Sequence, residues 1–531
     1  MAYAPVSPEP RTATPPGQTR RPRRWIVVGA ATFVVLLVAG FSFVSANWPY
    51  RYRKIKPMLE NVLASQLKIS KYHRTYFPHP GFVATGITMR RKSAPDLPPL
   101  GSVETMAVEG SWLDLLMLRQ RVQLVDITGL HIVVPAIGSR ENHEDFPPGS
   151  ASDFDGPNTK IERFIVHKSL LDIMHKDGNR SSFPIAELEI HNFHKGEAMT
   201  YAVDMRNAIP TGRILAKGGF GPINAKEFIS MPVSGTFTFN GVGLSDVGDI
   251  SGTLDSTGHF KGALGAIEAE AESDTPDFAV ESGQASRVLG AIHCTINGNN
   301  GDLKIHSIDL KTGATSIHVE GEIAGSPKKT NLDITVTRGR AEDVLRPFIR
   351  EDIPIAGPVW IKSHAYVGPP GDGFLERLRV DGVFDVPAER VEDHETQKSL
   401  TEFSQRAQGD KTESPNAALN EKVTAQDALS SLKGAATIRN GIASTQRLTF
   451  KIAGAEADLK GTFNFHNKQV HLTGDLKMDT DISHTATGFK SWLLKPIVPF
   501  FKKKNMGAVV PIAVTGTPGS YKVTQDLTHS K

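Results

Sequence analysis

The clearest signal in the chain is a two-residue rhythm of apolar and polar positions. Ile317, Val319, Gly321 and Ile323 alternate with Ser316, His318, Glu320 and Glu322, and Leu332, Ile334 and Val336 alternate with Asp333, Thr335 and Thr337. Phe463 and Phe465 alternate with Thr462, Asn464 and His466, and Val470 and Leu472 with His471 and Thr473. Successive side chains of a strand point to opposite faces, so this rhythm predicts strands that are apolar on one face and polar on the other. Asp177-Gly178, Asn240-Gly241, Asn300-Gly301 and Asn440-Gly441 each predict a turn between such strands. A weak repeat runs through the pattern. Asn300-Gly301 leads to Ile308, Leu310, Gly313-Ala314 and Gly321, while Asn440-Gly441 leads to Leu448, Phe450, Gly454-Ala455 and Gly461. A repeat of this kind predicts a sheet extended by repetition rather than one compact core.

The departures from this rhythm mark the remaining segments. Residues 25–44 form an uncharged run that, as a helix, would span about 30 Å, the thickness of a bilayer's hydrocarbon core. Trp25, Ile26, Phe33, Leu36, Leu37, Phe41 and Val44 are its candidate membrane-anchor residues, behind a tail containing Arg20, Arg21, Arg23 and Arg24. A cleaved signal peptide ending at Val44-Ser45-Ala46 is the competing reading; the length of the run and of the tail before it favours an uncleaved anchor. Arg51, Arg53, Lys54 and Lys56 follow the run, so its orientation rests on chain layout: a short cytoplasmic tail and a large exported body. Residues 54–67 place Ile55, Leu59, Val62, Leu63 and Leu67 at near-helical spacing and predict a short amphipathic helix.

Residues 136–160 read as a polar linker, and 388–429 as a polar insertion with a short helix around Leu400 and Phe403 and a flexible stretch at 408–420. The apolar connector 489–501 carries Trp492, Phe500 and Phe501 and is followed by Lys502, Lys503 and Lys504. Two readings fit it: a membrane-interface segment facing anionic headgroups, or a connector packed on the sheet and broken by Pro496 and Pro499. The expected layout is a disordered cytoplasmic tail at 1–24, an anchor at 25–46, the helix and first strands at 47–135, the linker at 136–160, strand repeats at 161–387, the insertion at 388–429 and a last sheet segment at 430–531.

Composition narrows the function classes. Of 531 residues, 39% are hydrophobic and 22% charged, enough to bury a core. Lys plus Arg number 60 against 57 for Asp plus Glu, a balance that argues against a dedicated nucleic-acid binder. The lone Cys294 excludes an internal disulfide and, in the run Ala291-Ile292-His293-Cys294-Thr295-Ile296, reads as a small buried strand residue. There is no P-loop, G-x-S-x-G, H-E-x-x-H or C-x-x-C motif. His191 and His194 fall on opposite faces of a strand, and Glu268, Glu270 and Glu272 read as a solvated strand face. Asn179-Arg180-Ser181 fits a glycosylation sequon and equally continues a hairpin turn. The expectation is a protein with no catalytic centre, metal or cofactor.

Three stretches resemble the AsmA family of envelope proteins. The first is the anchor, the amphipathic helix and Tyr76-Phe77-Pro78-His79-Pro80-Gly81-Phe82 continuing to Met89. The second runs from Val103-Glu104-Thr105-Met106-Ala107-Val108 through Leu113-Asp114-Leu115-Leu116 to Val134. The third is Pro496-Ile497-Val498-Pro499-Phe500-Phe501 with Gly507 to Pro511 and Ile512-Ala513-Val514-Thr515-Gly516-Thr517; at its end Gly519-Ser520-Tyr521 departs from the family's frequent Pro-x-Phe. The resemblance implies a single-pass inner-membrane protein of a Gram-negative bacterium with a periplasmic body, related to bridge-like lipid transfer proteins. It implies a mainly β fold: a transmembrane helix and short amphipathic helix, then a long curled antiparallel sheet forming an open groove with few helices. It further implies phospholipid as the partner, a role in outer-membrane biogenesis and no catalytic residues. About 20 strands at ~4.8 Å spacing would make such a groove on the order of 100 Å long. Ile317, Val319, Ile323, Leu332, Ile334, Val336, Phe463 and Phe465 are the candidate lipid-facing residues. The alternative is a structural envelope protein whose sheets close on each other.

Overall fold

The structure is a computed structural model. It describes residues 48–62, 65–91, 96–136 apart from 118 and 120, Thr401, Ser404, 430–478, 509–517 and 522–525. It also describes 159–391 apart from 176–177, 224, 248–249, 281–282, 299, 350–354 and 370–372. The anchor residues Trp25, Ile26, Phe33, Leu36, Leu37, Phe41 and Val44 lie outside the described residues, as do Trp492, Phe500, Phe501, Lys502, Lys503 and Lys504. Among the described residues no helix is long and apolar enough to cross a membrane.

The chain divides into two units, Met1–Leu63 and Ala64–Lys531. In the first, α1 spans Tyr52–Val62, with Ile55 buried and Lys56 and Glu60 paired one turn apart at 3.7 Å. The helix expected over 54–67 therefore starts earlier and ends earlier. Leu67 is instead a buried residue of the first strand, because Leu67 and Ile69 lie two apart and alternate with Gln66 and Lys68.

The second unit is built on one sheet whose strands follow one another in chain order. It begins with β1 (Ser65–Thr75), β2 (Gly81–Arg91), β3 (Gly101–Glu109), the short helix α2 (Trp112–Leu116) and β4 (Arg121–Val134). It continues through β5 (Lys160–Met174), β6 (Arg180–Phe193), β7 (Met199–Asn207), β8 (Gly212–Phe220) and β9 (Pro232–Gly243). Then come β10 (Ile250–Ser251), β11 (Thr253–Ala263), β12 (Ala266–Val280), β13 (Ser286–Ile296), β14 (Leu303–Thr312), β15 (Thr315–Ala324) and β16 (Lys329–Arg340). After α3 (Ala341–Leu345) follow β17 (Ile355–Ala356), β18 (Pro358–Val367), α4 (Phe374–Arg377), β19 (Leu378–Val391) and β20 (Ser430–Arg439). The last five are β21 (Ile442–Ile452), β22 (Ala455–Asn464), β23 (Val470–Met478), β24 (Val509–Gly516) and β25 (Lys522–Gln525). The two-residue strands β10 and β17 pair beside the main ladder with β12 and β19. Among the described residues no pairing joins β1 to β25, so the sheet is unclosed. The fold is mainly β, with few helices and one large sheet, as the alternation predicted.

Three details differ from the sequence reading. The sheet is antiparallel except at β4–β5, which is parallel. Parallel neighbours need a long crossover, and the linker read at 136–160 is the chain between them. Asn240-Gly241 is not a hairpin turn. It lies within β9, where the register with β11 slips between Leu254 and Ser256 and the Gly241 amide donates to Asp255 Oδ1 at 2.7 Å. Such a slip absorbs an extra residue as a bulge. Of the insertion read at 388–429, residues 388–391 finish β19 and Thr401 and Ser404 are helical; Leu400 and Phe403 lie outside the described residues.

The repeat, by contrast, is real structure. Gly321 and Gly461 both have φ of +149°, both stand opposite a register slip, and a Cβ on either would lie 2.0 Å from a carbonyl oxygen of the next strand. Only glycine fits there.

Candidate functional site

Cross-strand partners share a face, so the register traces each face of the sheet. One rung starts at Tyr72, Ala84, Met106, Ile127, Val166 and Leu188 on β1 to β6. It continues through Val203, Ala216, Phe237, Gly258 and Ala271. It reaches Ile292, Ile308, Val319 and Ile334 on β13 to β16. Apart from the tyrosine hydroxyl, every member is apolar or glycine. At ~4.8 Å per strand the rung runs on the order of 70 Å across the sheet.

Ala84, Met106, Ile127, Val166 and Val319 are buried, Val166 to 2% exposure. Leu188, Phe237, Ile292 and Ile334 are half-buried. The strands pack on their ladder neighbours, and among the described residues α3 touches β16 and β17 while α4 touches β18 and β20. Aromatic pairs line the same face: Tyr72 stacks on Phe82 at 5.2 Å and Phe237 lies 6.4 Å from Phe260. Burial pushes the Tyr72 phenol well above its ordinary value. Cys294 is buried here opposite Ala269, and that burial raises its thiol.

The structure brings the predicted residues together on this face. Val319 and Ile334 are partners, Leu332 stands opposite Gly321, and Ile323 is held between Leu303 and Thr330. Leu332 continues through Ala365, Val380, Ile438 and Ala443 to Phe463, and Phe465 packs edge-on against Phe463 at 5.0 Å. Two residues have a different setting. Val336 is 2% exposed in a small closed core with Ala341, Val359 and Val386, against which Ile317 and Val344 also pack. There α3 covers the strand ends, fastened by Asp343, which accepts from the Ala314 amide at 2.9 Å and the Thr315 hydroxyl at 3.0 Å. Val336 is thus a core residue, and Ile317 borders that core.

Sequence reading missed the β1 to β9 half of the rung because its alternation changes phase inside the strands. Ser70 with Gly86, Glu104 with Gly129, and Lys168 with Ala186 are skipped by the ladder, and Gly86, Gly129 and Lys168 have positive φ. The register is the same on either side of each skipped pair, but the buried positions change parity, with Phe82 and Ala84 before Gly86 and Ile87 and Met89 after it. Allowing one change of phase at Gly86 and Gly129 would have exposed the pattern.

The opposite face is polar and knit by cross-strand ion pairs. Arg213 meets Asp204 at 2.7 Å, Arg163 meets Glu189 at 2.9 Å, and His318 lies 2.7 Å from Asp309 and 3.1 Å from Glu320. Asp309 and then Glu320 hold the His318 imidazole above its ordinary value. A concavity of about 1070 Å³ lies on this face among Glu187, Asp204, Lys217, His259, Glu270 and His293. Its charges are largely matched across strands, with His259 3.5 Å from Glu270. Glu268, Glu270 and Glu272 are exposed, and His191 and His194 lie near Glu189 and Glu197 respectively. Among the described residues no group of three His, Cys, Asp or Glu is placed to hold a metal.

One buried charge fastens the parallel junction. Asp172 on β5 accepts from the Ser182 hydroxyl at 2.6 Å and Arg180 at 3.3 Å on the β6 side, and lies 2.8 Å from His131 Nε2 on β4. Burial raises this carboxyl, but Ser182, His131 and Arg180 together outweigh it and hold the carboxyl below its ordinary range. Ser182 donates to the carboxylate rather than to the imidazole, so the trio lacks the serine–histidine bond of a nucleophilic relay. The chain matches no family model and no curated protein.

Proposed function

We propose that this chain is an AsmA-like protein, anchored in an inner membrane by residues 25–44, whose sheet carries phospholipid acyl chains on its apolar face. The body would lie in the periplasm and serve phospholipid movement between membranes in outer-membrane biogenesis, without catalysis. The observation that supports this most is the unbroken apolar rung from Tyr72 to Ile334, backed by a polar, ion-paired face. A long one-sided apolar face needs an apolar covering. Acyl chains laid along it would gain roughly 0.8 kcal/mol per buried CH₂, while headgroups stayed in water. The rival reading, a structural protein with a closed β-core, draws on the closed cluster around Val336.

Photo-crosslinkers test the choice. Placed at Val319, Ile334 and Phe237, and separately at His318 and Thr335 on the polar face, they should yield phospholipid adducts only in the first group. Protein–protein adducts at the apolar positions, with no lipid, would sink the carrier reading in favour of a closed core.

A further inference from the structure

At the strand ends where β1 meets β2 and β3 meets β4, the apolar pattern is turned inside out. The turn 76–80 and helix α2 leave the sheet side by side: Gly81 pairs with Glu109, and the Gly110 amide donates to the Pro80 carbonyl at 2.8 Å. Ser111 caps α2 by accepting from the Leu113 and Asp114 amides at 3.2 and 3.4 Å. In that helix the one charged residue, Asp114, is buried and Leu115 half-buried, while Leu113 is 57% and Leu116 74% exposed, as is the capping Met117 at 52%. In the adjacent turn Phe77 is 90% exposed. A helix facing water buries its apolar side and exposes its charges; this one does the reverse.

We infer that Phe77, Leu113, Leu116 and Met117 form a tip that dips into the surface of a phospholipid bilayer. Two features favour a bilayer over a protein partner. The side chains come from two separate segments and protrude singly, which a fluid acyl layer accepts without a shaped pocket. The charge around them also suits anionic headgroups: Lys71, His73, Arg74, Arg119 and Arg121 are exposed, whereas Glu109 and Glu162 are half-buried and Asp114 is buried and lies 3.9 Å from Arg119. Glu162 is further held by Arg121 at 3.2 Å. The tip also adjoins the apolar face, since Phe82 and Val108, partners near these strand ends, belong to it. This inference rests on the membrane reading above for the presence of a bilayer, but not on lipid occupying the sheet.

The test uses the full chain in vesicles of phosphatidylethanolamine and phosphatidylglycerol. An environment-sensitive fluorophore is placed at Leu116→Cys or Phe77→Cys in a Cys294→Ala background, with His259→Cys as the polar-face control. At 116 and 77 the emission should shift to the blue, and doxyl-labelled lipid should quench it at least twofold more than at 259. Iodide quenching as strong as at 259 would overturn the tip. So would protection from iodide without lipid quenching, which signifies protein contact. Lipid adducts at Ile334 with a water-exposed 116 would refute the tip and leave the carrier standing; a lipid-quenched 116 with no adduct at Ile334 would do the opposite.

Discussion

Replacing Gly461 by alanine tests whether the sheet is held together strand by strand. The native φ of +149° lies in a region that L-residues avoid at about 1–3 kcal/mol. The new Cβ would meet the His471 carbonyl oxygen at 2.0 Å, forcing β22 and β23 apart and weakening ladder hydrogen bonds worth about 1 kcal/mol each. The sum is about 4 kcal/mol, in the range reserved for real backbone lesions. Because strands pack on their ladder neighbours, the damage should stay local. Hydrogen exchange of the full chain should accelerate about a thousandfold in β22 and β23 while β1 to β9 keep their protection. Gly321→Ala should do the same to β15 and β16, where the clash is with the Asn331 carbonyl. Gly178→Ala, with nothing within 4 Å of its Cβ, should cost only about 1 kcal/mol from its positive φ. Unchanged exchange at β22 and β23, or an equal rise along the whole sheet, would refute the reasoning.

Further outcomes follow from single residues. Asp172→Ala should destabilise the β4–β6 region by about 2–3 kcal/mol at pH 7, read as faster exchange there, because charged hydrogen bonds from three partners are lost. Its folded pKa is depressed, so its stabilisation is present above the ordinary carboxylate range and fades as pH falls through the folded pKa; Asp172→Asn should flatten that acid dependence. His318 has a raised folded pKa, so its smaller contribution is present below its unfolded pKa and fades as pH rises through the folded one. NMR titration should place it above 6.5, and Asp309→Asn should bring it down; an unmoved midpoint would discount the ion pair. Val336→Ala should cost about 2 kcal/mol by opening a cavity beneath α3, measured as increased exchange in β16 and β18.

The candidate face was legible within single strands. Ile317 to Ile323 in β15, Leu332 to Val336 in β16 and Val470 to Leu472 in β23 alternate cleanly, whereas Phe465 lies in the turn after β22. The register sets Val319, Leu332, Ile334 and Phe463 on one face. It was not legible in β5. There Phe164 and Val166 share a face with Ser169 and Leu171, because Lys168 has φ of +47° and the ladder passes it by. A lysine in a left-handed conformation leaves no mark in the sequence, since long-range pairing imposes it.

The sequence by itself determined the period-two chemistry, the glycines that fill the repeat's tight crossings and the mainly β class. Those follow from local geometry, in which alternate side chains part to opposite faces and only glycine accepts certain dihedrals. Tertiary structure decided that the apolar residues of β1 to β16 join in a single rung, that β4 and β5 run parallel and that Val336 is sealed under α3. It also decided that Asn240-Gly241 is a bulge rather than a turn. These depend on which strand lies beside which and in what register, and register is a property of pairs of strands distant in the chain.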